Sequence, residues 1–537
     1  MNKVLYWIER SLETFTNKNF IIFVLVFFIG YLFYKRVGWD SGLSPLIQSD
    51  SQIKLYQTIE YKVNGLGSHQ CYSKYKEFDE NYRFYPFRYP WTYFTEKENG
   101  EKDCVFQYPS FFSQSFSLLP IPYRFFNGVI LLLYLILSFS VILCLFYVFG
   151  IQETKILGLG GILYLVGYGI SSAIEFSESI PSQLLLLSFF YAVFLLERNE
   201  KLTTPLLFFF GLFGGVSVFL RSESIFFIGV LGVFVFFRNR TSLFVFLKKY
   251  LPLVFGLVFA LILFGFYNYF EFQEIFGVRS RVSFDDFSRL NLSHRFHLVS
   301  EFFFGNTDRI GFVFYCFPLI LLVFYSILKL KLTYLQKLIL YVNLVSFFLV
   351  VLLSPYSSGG LYLGLRFTEF SYLLFCIFGI SLLGGTIQRT DKSIVMLLIL
   401  LQVGFGFYHV RRNFKTIDYV KRYHDIFQSK LDNLPDAPVV HLSTFDLLLV
   451  SDSFLKKPHW ITNSQKEFSA LELKFLNAGI NKFQVFFYNF KPPKDDNSTE
   501  EFYNEWINTK FEIKSKYYKK VSDEVIAGFR FMVWEKE

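Results

Sequence analysis

Long apolar runs recur along most of the 537-residue chain. A run such as LLLYLILSFSVILCLFYVF is apolar on every helical face, which is typical of segments that face lipid. A bilayer core of about 30 Å takes roughly 20 apolar residues per helix, so the pattern predicts about eleven membrane helices. We expect them near 20–34, 125–149, 156–173, 182–196, 205–220, 224–237, 251–267, 311–328, 338–353, 367–385 and 393–408.

Polar residues return after 408, where the apolar runs shorten to the length of strands. VVHLS, HWIT, KFQVFFYNF and FRFMVWEKE read as strands, and NSQKEFSALELKFLNAGI repeats apolar residues at helical spacing. No glycine-rich phosphate loop occurs there, so the sequence of this segment does not indicate nucleotide binding. The predicted fold is a mainly α polytopic membrane protein with a small C-terminal α/β soluble domain.

Composition agrees with the pattern, since 53% of the residues are hydrophobic and only 18% are charged. A soluble globular enzyme is therefore excluded. The net charge of +9 is shared among loops between apolar runs. Membrane orientation explains such a distribution better than nucleic-acid binding, which we set aside.

Lysine and arginine concentrate in alternate short loops, as they do on the cytoplasmic side of membranes. This asymmetry predicts a multi-pass protein of the cytoplasmic (inner) membrane, with a cytoplasmic N-terminus and a periplasmic or extracellular C-terminal domain. The first run lacks a small-residue cleavage site and reads as a retained anchor. We expect a cytoplasmic segment 1–19, a membrane domain 20–408 with outer loops 35–124 and 268–310, and an extracytoplasmic domain 409–537.

Cys71 and Cys104 both fall in the first outer loop. A disulfide between them is expected only on an oxidising side of the membrane, which agrees with the predicted orientation. Two unpaired thiols are the alternative, because two cysteines in one loop do not fix their distance.

Acidic residues near the ends of the apolar runs are the first candidates for chemistry. Asp50 begins a helical pattern that stops at Gly65, so it either caps that helix or serves as a base for an incoming hydroxyl. Glu175 and Glu178 are three residues apart in a turn between two runs, where they either mark the water boundary or bind a substrate.

Two arginine motifs lie at the same predicted side. Arg221 and Glu223 share a short turn and are candidates for a structural ion pair. Arg366 follows a glycine-rich stretch, and its forked guanidinium suits an anionic headgroup.

The order of these features resembles the GT-C class of membrane glycosyltransferases, in particular bacterial relatives of the protein O-mannosyltransferases and the lipid A aminoarabinose transferase. The resemblance is carried by Asp50 to Tyr56 with Gly65 to Gly67, Gln107-Tyr108-Pro109, Glu175 with Glu178, Arg221 to Glu223, Asn268 with Phe276-Gly277, and Gly364 to Phe367. It covers residues 50 to 370 in order. The chain departs from the family in having Ser49-Asp50-Ser51 and Tyr108-Pro109-Ser110, which leaves a changed substrate or an inactive relative open.

The resemblance implies an inverting transferase that moves a sugar from a polyprenyl-phosphate carrier to a glycan, lipid or protein acceptor of the cell envelope. Asp50 would be the base, and Glu175 or Glu178 would orient the acceptor or hold a divalent metal ion, a cofactor that the sequence leaves open. Arg366, with Arg279 or Arg281, would bind the carrier phosphate. Further substrate contacts would come from Tyr56, Tyr108 and Arg221. We expect Asp50 to lie within about 10 Å of one of the two glutamates, the scale on which paired carboxyls share a substrate.

Two other classes remain open at this stage. A transporter or a lipid-linked saccharide handling protein without chemistry is the first, and a transporter would be expected to show repeated halves and broken helices with polar residues near mid-membrane. The sequence shows no such repeat, and its apolar runs are nearly free of ionisable residues at mid-depth. A membrane polymerase or ligase of cell-surface polysaccharides would share the topology without needing Asp50.

Overall fold

The computed structural model describes residues 28, 31–32 and 49–537, apart from 74–75, 80, 89–90, 97–99, 101, 168, 240–242, 290, 306–309, 356–365, 386 and 489–510. Apart from three residues, the predicted run 20–34 lies outside this description. The chain forms two compact units. The helical unit is residues 1–45 and 120–415, and the sheet unit is residues 46–119 and 416–537.

Helices are numbered here in chain order. They are α1 Ser49–Asn64, α2 Ser110–Ser117, α3 Phe126–Phe149, α4 Thr154–Leu165, α5 Gly169–Ala173, α6 Ser179–Glu197, α7 Thr204–Leu220, α8 Ser224–Asn239, α9 Leu243–Phe272, α10 Val278–Arg289, α11 Leu292–Phe304, α12 Phe312–Tyr315, α13 Phe317–Lys329, α14 Tyr334–Leu353, α15 Glu369–Leu383, α16 Arg389–Asp432, α17 Thr444–Leu448, α18 Ser451–Lys456 and α19 Gln465–Asn477. The strands are β1 Thr92–Glu96, β2 Lys102–Phe106, β3 Val439–His441, β4 His459–Ile461, β5 Lys482–Tyr488, β6 Tyr518–Ile526 and β7 Phe529–Lys536.

The chain is a multi-pass membrane protein, as its apolar runs predict. Within the described residues, five helices are long and apolar enough to cross a bilayer, namely α3, α6, α9, α14 and α16. Five shorter apolar helices, α4, α7, α8, α13 and α15, accompany them. Each predicted run from 125 onward falls on one of these ten helices or on a helix broken within the run.

Two of the predicted runs are interrupted. The run 156–173 breaks between α4 and α5, where Gly167 faces the ring of Tyr372 so closely that a Cβ would lie 2.1 Å from a ring carbon. The run 311–328 breaks at Cys316, just before Pro318 in the first turn of α13. Proline has no backbone N–H and suits the first turn of a helix, so it marks a new start.

The helix α16 is longer than the sequence predicts. It runs for 44 residues and continues well beyond 408, where we placed the end of the last membrane helix. The added part has neither glycine nor proline, and it keeps buried apolar residues at helical spacing, among them Val410, Phe414, Phe427 and Leu431. The boundary at 408 therefore marks a change of composition and not of secondary structure.

The C-terminal part of the sheet unit contains a five-stranded mixed sheet in the order β4-β3-β5-β7-β6. β3 pairs parallel with β4 and β5, and β7 pairs antiparallel with β5 and β6. The predicted strands correspond to β3, β4, β5 and β7. β6 is missing from the prediction because its sequence, YKKVSDEVI, is polar, as suits an exposed edge strand.

The first loop packs into the same core as this sheet. One cluster of buried residues joins Tyr56 of α1, Cys71 and Cys104 to Phe427 of α16 and Phe486 of β5. Cys71 and Cys104 form a disulfide with a Cα–Cα distance of 5.2 Å, and β1 and β2 form an antiparallel hairpin. The loop and the C-terminal tail are thus parts of one folded unit.

Candidate active site

The helix α1 places Asp50 in its first turn, as the sequence predicts. The carboxylate is favoured there by the positive end of the helix dipole. The helix ends at Asn64, and Gly65 follows with a φ of +92°, a conformation that suits glycine. Asp50 is buried, with 8% of its surface exposed, so its environment within the protein controls what it can bind.

One partner of Asp50 is Tyr108. The phenol Oη of Tyr108 donates a hydrogen bond to Oδ1 of Asp50 at 2.5 Å. Tyr108 follows β2, whose Cys104 is bridged to Cys71, and its carbonyl accepts a hydrogen bond from Nε2 of Gln57 at 3.4 Å. The phenol that follows the hairpin therefore reaches α1 and holds one oxygen of the carboxylate.

A lysine that the sequence analysis missed completes this group. Lys54 lies one helical turn after Asp50, is buried, and has its Nζ 4.8 Å from the centre of the Tyr108 ring. A cation over an aromatic face is stabilising, more so when both are removed from water. The spacing of four residues between Asp50 and Lys54 was the available signal. We call Asp50, Lys54 and Tyr108 the Asp50 cluster.

Tyr56, predicted to contact the substrate, packs inside the sheet unit, and its substrate role stays a prediction. Its side chain is fully buried, and its hydroxyl donates to the backbone carbonyl of Ser451 at 2.9 Å. The ring packs edge-on against Phe454, with 4.8 Å between ring centres. Tyr56 therefore holds α1 against α18 inside the sheet unit, because the apolar face of α1 points into that core.

A second group of charges lies in the helical unit, at the turn 174–178 between α5 and α6. Glu175 and Glu178 are both buried. Arg221 extends from the end of α7, with its Nη1 3.5 Å from Oε1 of Glu178 and its Nε donating to Oε1 of Glu223 at 2.7 Å. We call Glu175, Glu178, Arg221 and Glu223 the acidic-turn cluster.

The ion pair predicted between Arg221 and Glu223 is present, and the substrate role of Arg221 stays a prediction. Its guanidinium is only 8% exposed, contacts two carboxylates, and lies over the ring of Phe367 at 5.2 Å. A guanidinium used in this way is part of the internal structure of the turn.

Of the other three predicted arginines, the structure describes the side chain of one. Arg281 in α10 is largely exposed and pairs with Glu274 at 3.0 Å. The side chains of Arg279 and Arg366 lie outside the described residues. Among the described residues, no group of three or more histidine, cysteine, aspartate or glutamate side chains has the arrangement of a metal site.

By sequence, no family model and no curated protein matches the chain. Solved structures do match. They include ArnT from Cupriavidus metallidurans bound to undecaprenyl phosphate, at 10% identity and a TM-score of 0.48, covering 95% of this chain and 97% of that one. The archaeal oligosaccharyltransferase AglB from Archaeoglobus fulgidus, in complex with an inhibitory peptide and a dolichol-phosphate, matches at 11% identity and a TM-score of 0.49, covering 94% of this chain and 74% of that one.

The resemblance to GT-C membrane glycosyltransferases is carried by the order of the sequence motifs. At these identities and TM-scores the likeness assigns neither a substrate nor a residue role to this chain.

The short motifs that carry the GT-C resemblance are paired in space. Asp50 from the first motif binds Tyr108 from the second, although they are 58 residues apart. Glu178 from the third motif pairs with Arg221 from the fourth, and Arg221 packs on Phe367 from the last. Each cluster therefore combines residues from separate motifs, within the sheet unit in the first case and within the helical unit in the second.

Proposed function

We propose that this protein is an inverting glycosyltransferase that moves a sugar from a polyprenyl-phosphate carrier to an acceptor at the outer face of the cytoplasmic membrane. The observation that carries the proposal is the buried carboxylate of Asp50, held by the phenol of Tyr108 at 2.5 Å at the start of a helix. A fixed and buried carboxylate is suited to accept a proton from a hydroxyl group. The GT-C resemblance of the motifs supplies the class of donor.

In the proposed reaction, the acceptor oxygen attacks the anomeric carbon of the sugar while Asp50 takes the hydroxyl proton. The bond between that carbon and the phosphate oxygen breaks, and the phosphate leaves with the bonding electrons. Arg366, proposed from its sequence alone, would balance the charge that grows on the phosphate. A single displacement of this kind inverts the anomeric configuration.

We further propose that the acidic-turn cluster orients the acceptor in the same reaction. Glu175 and Glu178 are the residues that would contact acceptor hydroxyls, and Arg221 would keep Glu178 in place. The expectation that Asp50 lies within about 10 Å of one of these glutamates stays a prediction.

The proposed location rests on two observations. The first loop and the tail form one folded unit, which favours a location of both on one side of the membrane. That unit contains the Cys71–Cys104 disulfide, which favours an oxidising compartment. Both agree with the orientation derived from lysine and arginine, in which the N-terminus is cytoplasmic and the sheet unit is outside.

The test is transfer of labelled sugar from polyprenyl-phosphate donors in reconstituted membranes, with undecaprenyl and dolichol carriers and a panel of acceptors. Asp50→Asn keeps the shape of the side chain but removes its capacity to take a proton, so turnover should fall about 100-fold or more. Asparagine is nearly as good at a helix start, so folding should be retained. Arg366→Lys should weaken use of the donor, because a point charge replaces a forked donor.

Glu60→Gln is the matched control for the base. Glu60 is a buried carboxylate on the same helix, and its Oε1 accepts hydrogen bonds from Asn64 and Ser68, which a glutamine oxygen can also accept. Full activity in Asp50→Asn would refute the proposed base. No transfer by the unmodified protein with any donor and acceptor would favour a transporter or another protein without transferase chemistry.

A further inference from the structure

A buried carboxylate at the start of α15 lies outside both clusters described above. Glu369 is the first residue of that helix and is 3% exposed. Its Oε1 accepts a hydrogen bond from the Ser172 hydroxyl at 2.5 Å. Its Oε2 accepts from the Ser179 hydroxyl and from Nε2 of Gln183, the latter at 2.8 Å. Three side chains of the helical unit thus donate to one carboxylate.

These donors lie on either side of the acidic turn. Ser172 belongs to α5, which precedes residues 174–178, and Ser179 and Gln183 belong to α6, which follows them. The amide of Gln183 is itself oriented, since its Oε1 accepts from the phenol of Tyr164 at 3.2 Å. The carboxylate of Glu369 therefore ties together the two ends of the segment that carries Glu175 and Glu178.

The residues just before α15 also contact Arg221, the charged partner of Glu178 in the turn. Phe367, two residues before Glu369, lies under the guanidinium of Arg221 at 5.2 Å, and that guanidinium pairs with Glu178. Arg366, which we propose as a phosphate ligand, is the next residue towards the N-terminus. Residues 366–369 thus include the proposed phosphate ligand and contact the acidic-turn cluster, all within the helical unit.

We infer that Glu369 is a positioning residue of the proposed transfer reaction. It fixes the turn that carries Glu175 and Glu178 relative to the segment that carries Arg366. An acid in the interior of a membrane protein is costly, which is why such residues generally have a functional role. The inference rests on the proposed function, because it assigns Glu369 to the same reaction.

The test compares Glu369→Ala with Glu369→Gln in the full-length protein. Glutamine has the same shape, keeps an oxygen acceptor, and its NH₂ group can donate to a serine hydroxyl that turns around. Alanine removes all three contacts. We expect Glu369→Ala to lower kcat/KM for the acceptor about 30-fold while donor affinity changes less than about twofold, and Glu369→Gln to restore kcat/KM to within about threefold of the unmodified enzyme.

Hydrogen exchange of the backbone amides at 174–178 gives a readout that does not depend on activity. Glu369→Ala should speed this exchange about tenfold, and Glu369→Gln should leave it near the original rate. The control is Asn343→Ala. Asn343 is fully buried and donates to the carbonyl of Ser371 in α15 at 3.0 Å, so its loss weakens a contact of the same helix without touching the turn.

Two results would overturn the inference. If Glu369→Gln lowers acceptor kcat/KM and speeds exchange as much as Glu369→Ala does, the negative charge of Glu369 is what matters. Its hydrogen bonds would then not explain the position of the turn. If Asn343→Ala changes acceptor kcat/KM and exchange at the turn as much as Glu369→Ala does, the effect is one of general stability. If the unmodified protein transfers no sugar, the exchange data still decide whether Glu369 positions the turn, so this failure is separate from that of the proposed function.

Discussion

The phenol of Tyr108 donates to the carboxylate of Asp50 at 2.5 Å, across 58 residues of sequence. Tyr108 lies two residues after β2 of the β1–β2 hairpin, and the disulfide anchors that hairpin. A hydrogen bond to one oxygen restricts the rotation of the carboxylate. In the proposed reaction Tyr108 therefore orients the base, and it does not itself take the proton.

Tyr108→Phe should reduce transfer about tenfold or more with little effect on folding. A hydrogen bond to a charged group is worth roughly 1.5–3 kcal/mol, and each 1.4 kcal/mol corresponds to a factor of ten. The measurement is the initial rate of sugar transfer under saturating donor. Tyr85→Phe is the control, because the buried Tyr85 hydroxyl donates at 2.9 Å to the carbonyl of Tyr72. Equal rates for the two variants would count against an orienting role for Tyr108.

The sequence predicts the membrane helices well because a lipid-facing segment must be apolar all round, whatever its neighbours are. It also predicts that α1 begins within a residue of Asp50 and ends before Gly65, since these signals are local. The strand β6 and the extension of α16 depend on tertiary packing and were not predicted.

The contacts of the site could be predicted only in part. Arg221 and Glu223 are two residues apart, so their pairing follows from the sequence. Asp50 with Tyr108, and Glu369 with Ser172, are separated by 58 and 197 residues, and no local pattern specifies them. The one sequence signal for Glu369 was an acid near the start of an apolar run. The predicted run 367–385 included Glu369 as an ordinary helix residue.

The ion pair of Glu178 and Arg221 should behave as a coupled pair in stability measurements. Removing one partner of a buried pair leaves an unpaired charge and costs about 3–5 kcal/mol. Arg221 keeps its contact with Glu223 when Glu178 is changed, so we expect the larger loss in Arg221→Gln and a smaller one in Glu178→Gln. The double variant should be less damaged than the sum by about 1–3 kcal/mol. Thermal unfolding in detergent measures the four proteins of this cycle.

The exposed pair of Arg281 and Glu274 is the control for that cycle. Its atoms are 3.0 Å apart, but 60% of the arginine side chain is exposed. Exposed pairs are worth about 0–1 kcal/mol, so the same set of variants should show little coupling. Additive losses for Glu178 and Arg221 would show that the buried contact does not contribute as an ion pair.

The Cys71–Cys104 disulfide should contribute to stability more than to chemistry. It closes a loop with a sequence separation of 33. In the loop-entropy model such a bridge stabilises by roughly 3–4 kcal/mol. The double variant Cys71→Ser with Cys104→Ser should lower the melting temperature of the sheet unit by on the order of 10 °C and keep most of the transfer rate at low temperature. Labelling of both thiols in the native, unreduced protein would contradict the bridge.

The sheet unit should lose stability in mild acid because of buried histidines, two of which are hydrogen-bonded to each other. His441 Nε2 lies 2.7 Å from His459 Nδ1, His441 Nδ1 lies 3.2 Å from the carbonyl of Phe486, and His459 Nε2 lies 2.9 Å from the Ser453 hydroxyl. A carbonyl can only accept, so His441 carries its proton on Nδ1, His459 then donates from Nδ1, and Ser453 donates to His459. The chain of hydrogen bonds is complete with both rings neutral.

Burial lowers the pKa of His441 to about 3, with the positive charge of Lys457 acting in the same direction. Burial, His441 and Lys457 hold the pKa of His459 well below its usual range. In the unfolded chain both groups have a pKa near 6.5. Between about pH 6.5 and pH 3 the unfolded state therefore binds more protons, and the free energy of unfolding falls as the pH falls. Asp452 opposes this trend, since burial raises its pKa to about 6.

The pH dependence of unfolding in the variants separates the effect of the histidines from that of Asp452. For each histidine, the unmodified protein should lose about 2 kcal/mol more than the His→Gln variant between about pH 7.5 and pH 5. Urea unfolding of the full-length protein in detergent at these two values is the measurement, with His441→Gln, His459→Gln and the double variant. Ser453→Ala is the control, because it removes a hydrogen bond but no titrating group, so it should lower stability equally at both values. If the double variant loses as much stability in acid as the unmodified protein, the histidines are not the cause of the acid sensitivity.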